Sequence, residues 1–168
     1  MDGFGVLIFQ VLGQQLSVSS TRSILNRLVA LFGGRLPTPS ELLAQDPEVI
    51  RSAGLSHRKV QTLRLIAERF IDGTLSMEAL QSMSDEEVQT LLTSIPGVGP
   101  WTAQGFLIIA LGRQDVVLPG DLALRTAIKR AYGLDHLPSP DEVLAIADAW
   151  RPYRTLATTF VFASAFDT

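Results

Sequence analysis

The chain has 168 residues, 46% hydrophobic and 18% charged, enough for one sizeable core or two small helical lobes. With 14 basic against 17 acidic residues the net charge is −3, which argues against a protein that holds a polyanion by charge alone. Having no cysteine removes a disulfide, a thiolate zinc site and a cysteine-ligated iron–sulfur cluster together, and two histidines, His57 and His136, are poor material for a metal site. Apolar residues recur at helical spacing in nearly every long segment and none alternates, so the pattern predicts an all-α fold. Helices are expected over 4–16 and 18–32, closed by Gly33-Gly34 and Pro37, then as short pieces over 39–44 and 46–51, with a break at Gly54. The next, 57–71, belongs to a basic stretch holding Arg51, Arg58, Lys59, Arg64 and Arg69 against one acid, Glu68, either a solvated face or a DNA-facing one. Beyond Gly73 come 76–81 and 85–93, the latter opened by Ser84 and Glu87 as a capping box. Helices over 100–112, 121–131, 140–150 and 153–166 complete the chain, with Ser139-Pro140-Asp141-Glu142 as another start signal.

The join between the helices at 85–93 and 100–112 is the most informative stretch. It reads Ser94-Ile95-Pro96-Gly97-Val98-Gly99-Pro100-Trp101-Thr102-Ala103. Pro96 stops one helix, Pro100 opens the next, and Gly97 and Gly99 are expected to supply positive-φ backbone without a side chain for the reversal. Consecutive bare amides at the positive end of a helix attract a phosphate oxygen. About twenty residues on, Val117-Leu118-Pro119-Gly120-Asp121-Leu122 places an isolated acid, Asp121, where it can cap the helix at 121–131.

Taken together, L-x-x-I-P-G-V-G-P-W-T-A and the later Pro-Gly-Asp closely resemble the helix-hairpin-helix DNA glycosylase superfamily, in which the hairpin is followed by a Gly/Pro-rich loop and a catalytic Asp. The resemblance runs from about Phe4 to Phe162. It implies a two-lobed helical fold, one glycosylase domain over 1–168, with a hairpin lobe of about 36–112, a second lobe of 1–35 with 113–168, and the active cleft between them. The family's usual helix ahead of Phe4, and the β-rich domain some relatives carry, are not seen in this sequence, so a shortened chain or a minimal member is the expectation.

By that resemblance Asp121 is the catalytic acid, and the Gly97, Val98, Gly99, Trp101 and Thr102 stretch grips DNA phosphate through its amides. Trp101 stands where bifunctional relatives carry a Schiff-base lysine. A tryptophan cannot form one, which implies a monofunctional enzyme of the alkylation-repair, 3-methyladenine DNA glycosylase II type, with the ring stacking on an electron-poor base. Gly13-Gln14-Gln15-Leu16-Ser17 looks like the family's G-Q-Q-x-S segment, with Gln15 or Leu16 as the wedge that fills the gap left by an extruded base. Trp150-Arg151-Pro152-Tyr153-Arg154 matches a W-x-P-x-R element in which Trp150 packs and Arg154 lines or braces the cleft. Phe162 stands where a relative has a second base-stacking ring. The carbonyls of Ser94, Ile95 and Val98 are implied to hold a structural Na+ or K+, and the hydrolysis itself requires no cofactor.

The implied partner is double-stranded DNA bearing a damaged base, met by a monomer without membrane attachment. No apolar run has transmembrane length and Met1-Asp2-Gly3 offers no basic signal region, so a cytoplasmic setting, on the nucleoid if bacterial, is expected. The rival readings are a glycosylase for uracil or mismatched bases, a noncatalytic helix-hairpin-helix DNA-binding module, and an inactive fragment.

Overall fold

The computed structural model describes residues 2–166, and all regular structure among them is helical. Two compact units divide after Phe106: Met1–Phe106 and Leu107–Thr168. This division groups residues 1–35 with the hairpin helices, a different grouping from the one the resemblance implies.

The first unit is built on two helices. α1 (Gly3–Gly13) is buried almost all round, with Leu7, Ile8 and Leu12 fully shielded; each such side chain contributes roughly 1.5–3 kcal/mol by leaving water. α5 (His57–Ile71) is amphipathic, burying Val60, Leu63, Ile66 and Ala67. α1, α3 (Pro39–Ala44) and α4 (Pro47–Ser52) pack on α5, and α2 (Val18–Leu31) packs on α1. α6 (Met77–Ser82), α7 (Asp85–Thr93) and most of α8 (Pro100–Ile109) complete this unit, with α8 crossing the division.

Start signals act as their chemistry predicts. Ser84 and Glu87 form a capping box, as do Ser139 with Glu142 and Thr38 with Glu41. α1 stops three residues before its expected end at 16, because Gln14 leaves the helical region at ψ 123 and Gln15 enters the left-handed region at φ +58.

In the second unit α9 (Leu122–Tyr132) packs on α10 (Pro140–Asp148) and α11 (Arg154–Phe166). Its core is Val117, Leu124, Ile128, Val143 and Ala147, with Trp150 and Phe162 packed alongside. Gly133, left-handed at φ +64, ends α9 as a C-cap glycine does. No helix among the described residues is long and apolar enough to cross a membrane.

Candidate nucleic-acid interface and active-site acid

The hairpin is assembled from its ends inward. Val88 and Leu92 fix α7 to the interior. The chain then turns tightly, Ile95 N–H donating to Leu92 O at 3.1 Å and Val98 N–H to Ile95 O at 3.0 Å, while the Ile95 and Val98 side chains are buried as anchors. Thr62, 3% exposed on α5, shares its hydroxyl between Arg58 O and Pro96 O, both at 3.0 Å, and so pins the turn from below.

The two glycines do different work. Gly97 has φ +91, and a Cβ there would run into the Thr62 side chain, so the fold itself demands glycine. Gly99 does not have positive φ, contrary to the expectation above, and a Cβ there would meet nothing within 4 Å. Nothing within the protein requires Gly99 to be bare. It opens onto the start of α8, where Ala103 N–H is the donor to Gly99 O at 3.1 Å and the preceding amides stand outside the helical ladder.

A hollow of about 490 Å³ adjoins this turn, lined by Gln14, Gln15, Arg58, Lys59, Gly99 and Trp101 among others. Trp101 is half-buried and faces the hollow, its ring edge 3.8 Å from where a side chain on Gly13 would begin, so it is not a core tryptophan. Gln15 is exposed, and Leu16 at 41% exposure is no core leucine. Thr102, by contrast, is 1% exposed and its hydroxyl accepts from Gln14 Nε2 at 2.9 Å, so its side chain serves the interior.

Two residues named in the sequence, but given no bracing role there, hold this region together. Gln14 Nε2 also donates to Gly97 O at 2.9 Å, tying the end of α1 to the hairpin. Lys59 Nζ donates to Leu12 O at 2.9 Å and Gln14 O at 3.0 Å, a cation on the negative end of α1, and burial holds its pKa below the usual lysine value. The basic stretch is therefore divided in its use: like Lys59, Arg64 donates to main-chain carbonyls, those of Leu43 and Gln45 at 3.1 and 3.4 Å, where α3 ends, whereas Arg51 makes an exposed pair with Glu48 at 2.9 Å. Arg58 remains exposed at the hollow.

In the second unit Asp121 is the N-cap of α9, its Oδ1 accepting from Leu124 N–H at 2.8 Å, and Asp121 N–H donates to Leu118 O at 3.0 Å to close the Leu118-Pro119-Gly120 turn. The carboxyl is held by the backbone and half-buried. Upstream, Asp115 anchors the loop, with Arg154 Nε donating to its Oδ1 at 2.7 Å and Arg154 Nη2 to its Oδ2 at 3.1 Å; these bonds hold the Asp115 carboxyl below its ordinary pKa. Thr155 adds a hydroxyl bond to Arg113 O at 2.8 Å. Trp150 packs, as expected, and donates Nε1–H to the Tyr132 hydroxyl at 3.0 Å, whereas Phe162 lies against the core cluster. Among the described residues no group of three His, Cys, Asp or Glu could hold a metal ion.

Residues 8–152 match the model of the HhH-GPD superfamily of base excision DNA repair proteins, and the chain belongs to that family. Among individual relatives, DNA-3-methyladenine glycosylase 1 of Schizosaccharomyces pombe is 35% identical over 158 residues, covering 93% of this chain and 69% of that protein. DNA-3-methyladenine glycosylase 2 of Escherichia coli K12 is 28% identical over 96% of this chain and 57% of its own length. The chain spans between about half and three quarters of the length of such curated relatives. In structure it resembles the S. pombe 3-methyladenine DNA glycosylase solved in complex with abasic DNA, with TM-score 0.92, 34% identity, and coverage of 96% of this chain and 80% of that one. A DNA-3-methyladenine glycosidase from Bacillus halodurans follows at TM-score 0.86 and 32% identity, over 99% of this chain and 76% of its own.

Proposed function

We propose that this chain is a monofunctional DNA glycosylase that hydrolyses the N-glycosidic bond of alkylated bases, of the 3-methyladenine and 7-methylguanine type, in duplex DNA, the first step of base excision repair. The observation that carries it is the pairing of a bare Gly99, for which the fold has no internal need, with a half-exposed Trp101 at the edge of the same hollow. A phosphate can approach the amides at Gly99 closely only if no side chain stands there. The ring beside it offers an apolar, electron-rich face to a base that alkylation has made cationic.

The damaged nucleotide must leave the stack before its glycosidic bond can be reached, with Gln15 or Leu16 entering the gap. As the C1′–N bond lengthens, its electron pair leaves with the base, so a cationic alkylated purine departs neutral and needs no proton from the enzyme. The fixed Asp121 carboxylate stabilises the positive charge growing on C1′, orients a water molecule and takes its proton as the water oxygen bonds to C1′. The products are the free base and an abasic sugar with its strand unbroken, because Trp101 cannot form a Schiff base at the position where a lysine would.

The reaction calls for no cofactor. The Ser94 and Ile95 carbonyls lie just past α7, where carbonyl oxygens lack helical partners, Ile95 O keeps one lone pair beyond its bond from Val98 N–H, and the Val98 carbonyl follows in the turn before α8. They suit an alkali cation, which would stiffen the turn and add positive charge toward the phosphate. We further infer a monomer acting on DNA, without a membrane. Incubation with duplexes carrying 3-methyladenine, 7-methylguanine, 1,N6-ethenoadenine or uracil, scoring free base separately from strand breaks, tests the proposal. Release of alkylated bases without nicking is expected; release of none of the four would refute the enzyme, and nicking before alkali would refute its monofunctional character.

A further inference from the structure

Gln15 is the non-glycine residue with positive φ among the described residues, at +58, a conformation disfavoured by any side chain with a Cβ. Such backbone persists where its surroundings over-determine it. Here they do so from two directions. Lys59, reaching from α5, holds the carbonyls of Leu12 and Gln14 at 2.9 and 3.0 Å, and the Gln14 side chain reaches the hairpin at Gly97 O and the Thr102 hydroxyl, both at 2.9 Å. Leu16 N–H closes the turn on Gly13 O at 3.2 Å. All these bonds are made by its neighbours, and the Gln15 side chain stands exposed at the rim of the hollow.

We propose that Gln14 and Lys59 are positioning residues that bolt this turn to the hairpin, so that Gln15 is presented, already ordered, as the plug for the gap an extruded nucleotide leaves. The proposal rests on the nucleotide-extruding glycosylase reading above. Its physical content is preorganisation: the amides that grip the backbone and the side chain that fills the stack belong to one rigid piece, so the turn is ordered during folding and not when DNA binds. Neither residue touches the reacting atoms. Lys59 is also no nucleophile in this scheme, because two of its three ammonium protons are directed at main-chain oxygens.

The test compares release of 7-methylguanine from two duplexes of the same sequence, one with the lesion paired to cytosine and one with it unpaired in a one-nucleotide bulge. Extrusion from the pair opens a gap; extrusion from the bulge leaves the stack continuous. Lys59→Met and Gln14→Met are expected to lower kcat/KM on the paired lesion about ten-fold more than on the bulged one, roughly the loss of one ordered contact in the barrier. Gln15→Ala should show the same selectivity, and adding Lys59→Met to it should produce no further selective loss. Lys59→Arg, which keeps a cationic donor, should restore most of the paired-lesion rate. Equal losses on both duplexes, as from a merely structural role, or no loss at all, would overturn the proposal while leaving the glycosylase reading intact. Absence of release from either duplex by the unaltered protein would overturn both. Should Lys59→Met not fold, Gln14→Met and Gln15→Ala carry the same comparison.

Discussion

Asp115 and Arg154 meet in a two-pronged ion pair, Nε to Oδ1 at 2.7 Å and Nη2 to Oδ2 at 3.1 Å, that fastens the loop leading toward Asp121 onto the first turn of α11. The side chains are 30% and 16% exposed, so water screens the pair only in part. Fork-to-fork geometry of this kind is among the stronger ionic contacts. Arg154→Met should therefore cost about 1–2 kcal/mol of stability near neutral pH.

The pH dependence has a definite sign. The Asp115 carboxyl binds its proton less tightly when folded than when unfolded, chiefly because Arg154 donates to it. Its contribution is thus complete above the unfolded carboxyl pKa, about 3.9, and is lost as pH falls through the lower folded value. Thermal melts from pH 7 to pH 3 should show the gap between the native protein and Asp115→Asn closing below about pH 4. A constant gap would mean that the pair is not what the carboxylate contributes.

Substitutions at Gly97 and Gly99 are expected to separate stability from binding. Gly97→Ala combines positive φ with a collision against Thr62 and should lower stability by roughly 1–3 kcal/mol. Gly99→Ala meets nothing in the protein and should leave the melting temperature unchanged or slightly raised, while weakening binding to a duplex with an abasic site. Paired melting and binding measurements decide it. Undiminished affinity in Gly99→Ala would remove the phosphate-gripping role assigned to that amide.

The hairpin was readable because its information is local: Pro96, Gly97 and Pro100 carry the backbone instructions, and Ser84 with Glu87 fixes where α7 begins. Asp121 was readable for the same reason, as a cap after Pro119-Gly120. The braces were not. Gln14 meets Gly97 across 83 residues and Lys59 meets Gln14 across 45, and no periodicity encodes which polar side chain will find which carbonyl. The left-handed turn at Gln15, which ends α1 early, lies beside those contacts and has no local signal of its own. The basic run over 51–69 looked like one surface, yet Arg64 and Lys59 cap helix ends instead. A lysine three residues into a helix, opposite another helix's end, is a signal only once packing is known.

Trp101 should govern which base is held, without governing the fold. Because it is half-buried at the hollow, Trp101→Ala is expected to reduce kcat/KM on 7-methylguanine by about ten- to a hundred-fold through lost stacking and cation–π attraction, with Trp101→Phe intermediate. Steady-state release assays on a cationic and a neutral lesion check this. A loss as large on neutral 1,N6-ethenoadenine as on 7-methylguanine would assign the ring to packing against any base, with no preference for charge.

Hydrolysis driven by the Asp121 carboxylate is isolated from the capping role by Asp121→Asn, because asparagine caps a helix about as well as aspartate. Single-turnover release of 7-methylguanine by the two proteins, alongside their melting temperatures, measures it directly. An unchanged melting temperature and a rate lowered at least about a hundred-fold are expected. Release by Asp121→Asn at the unaltered protein's rate would contradict it.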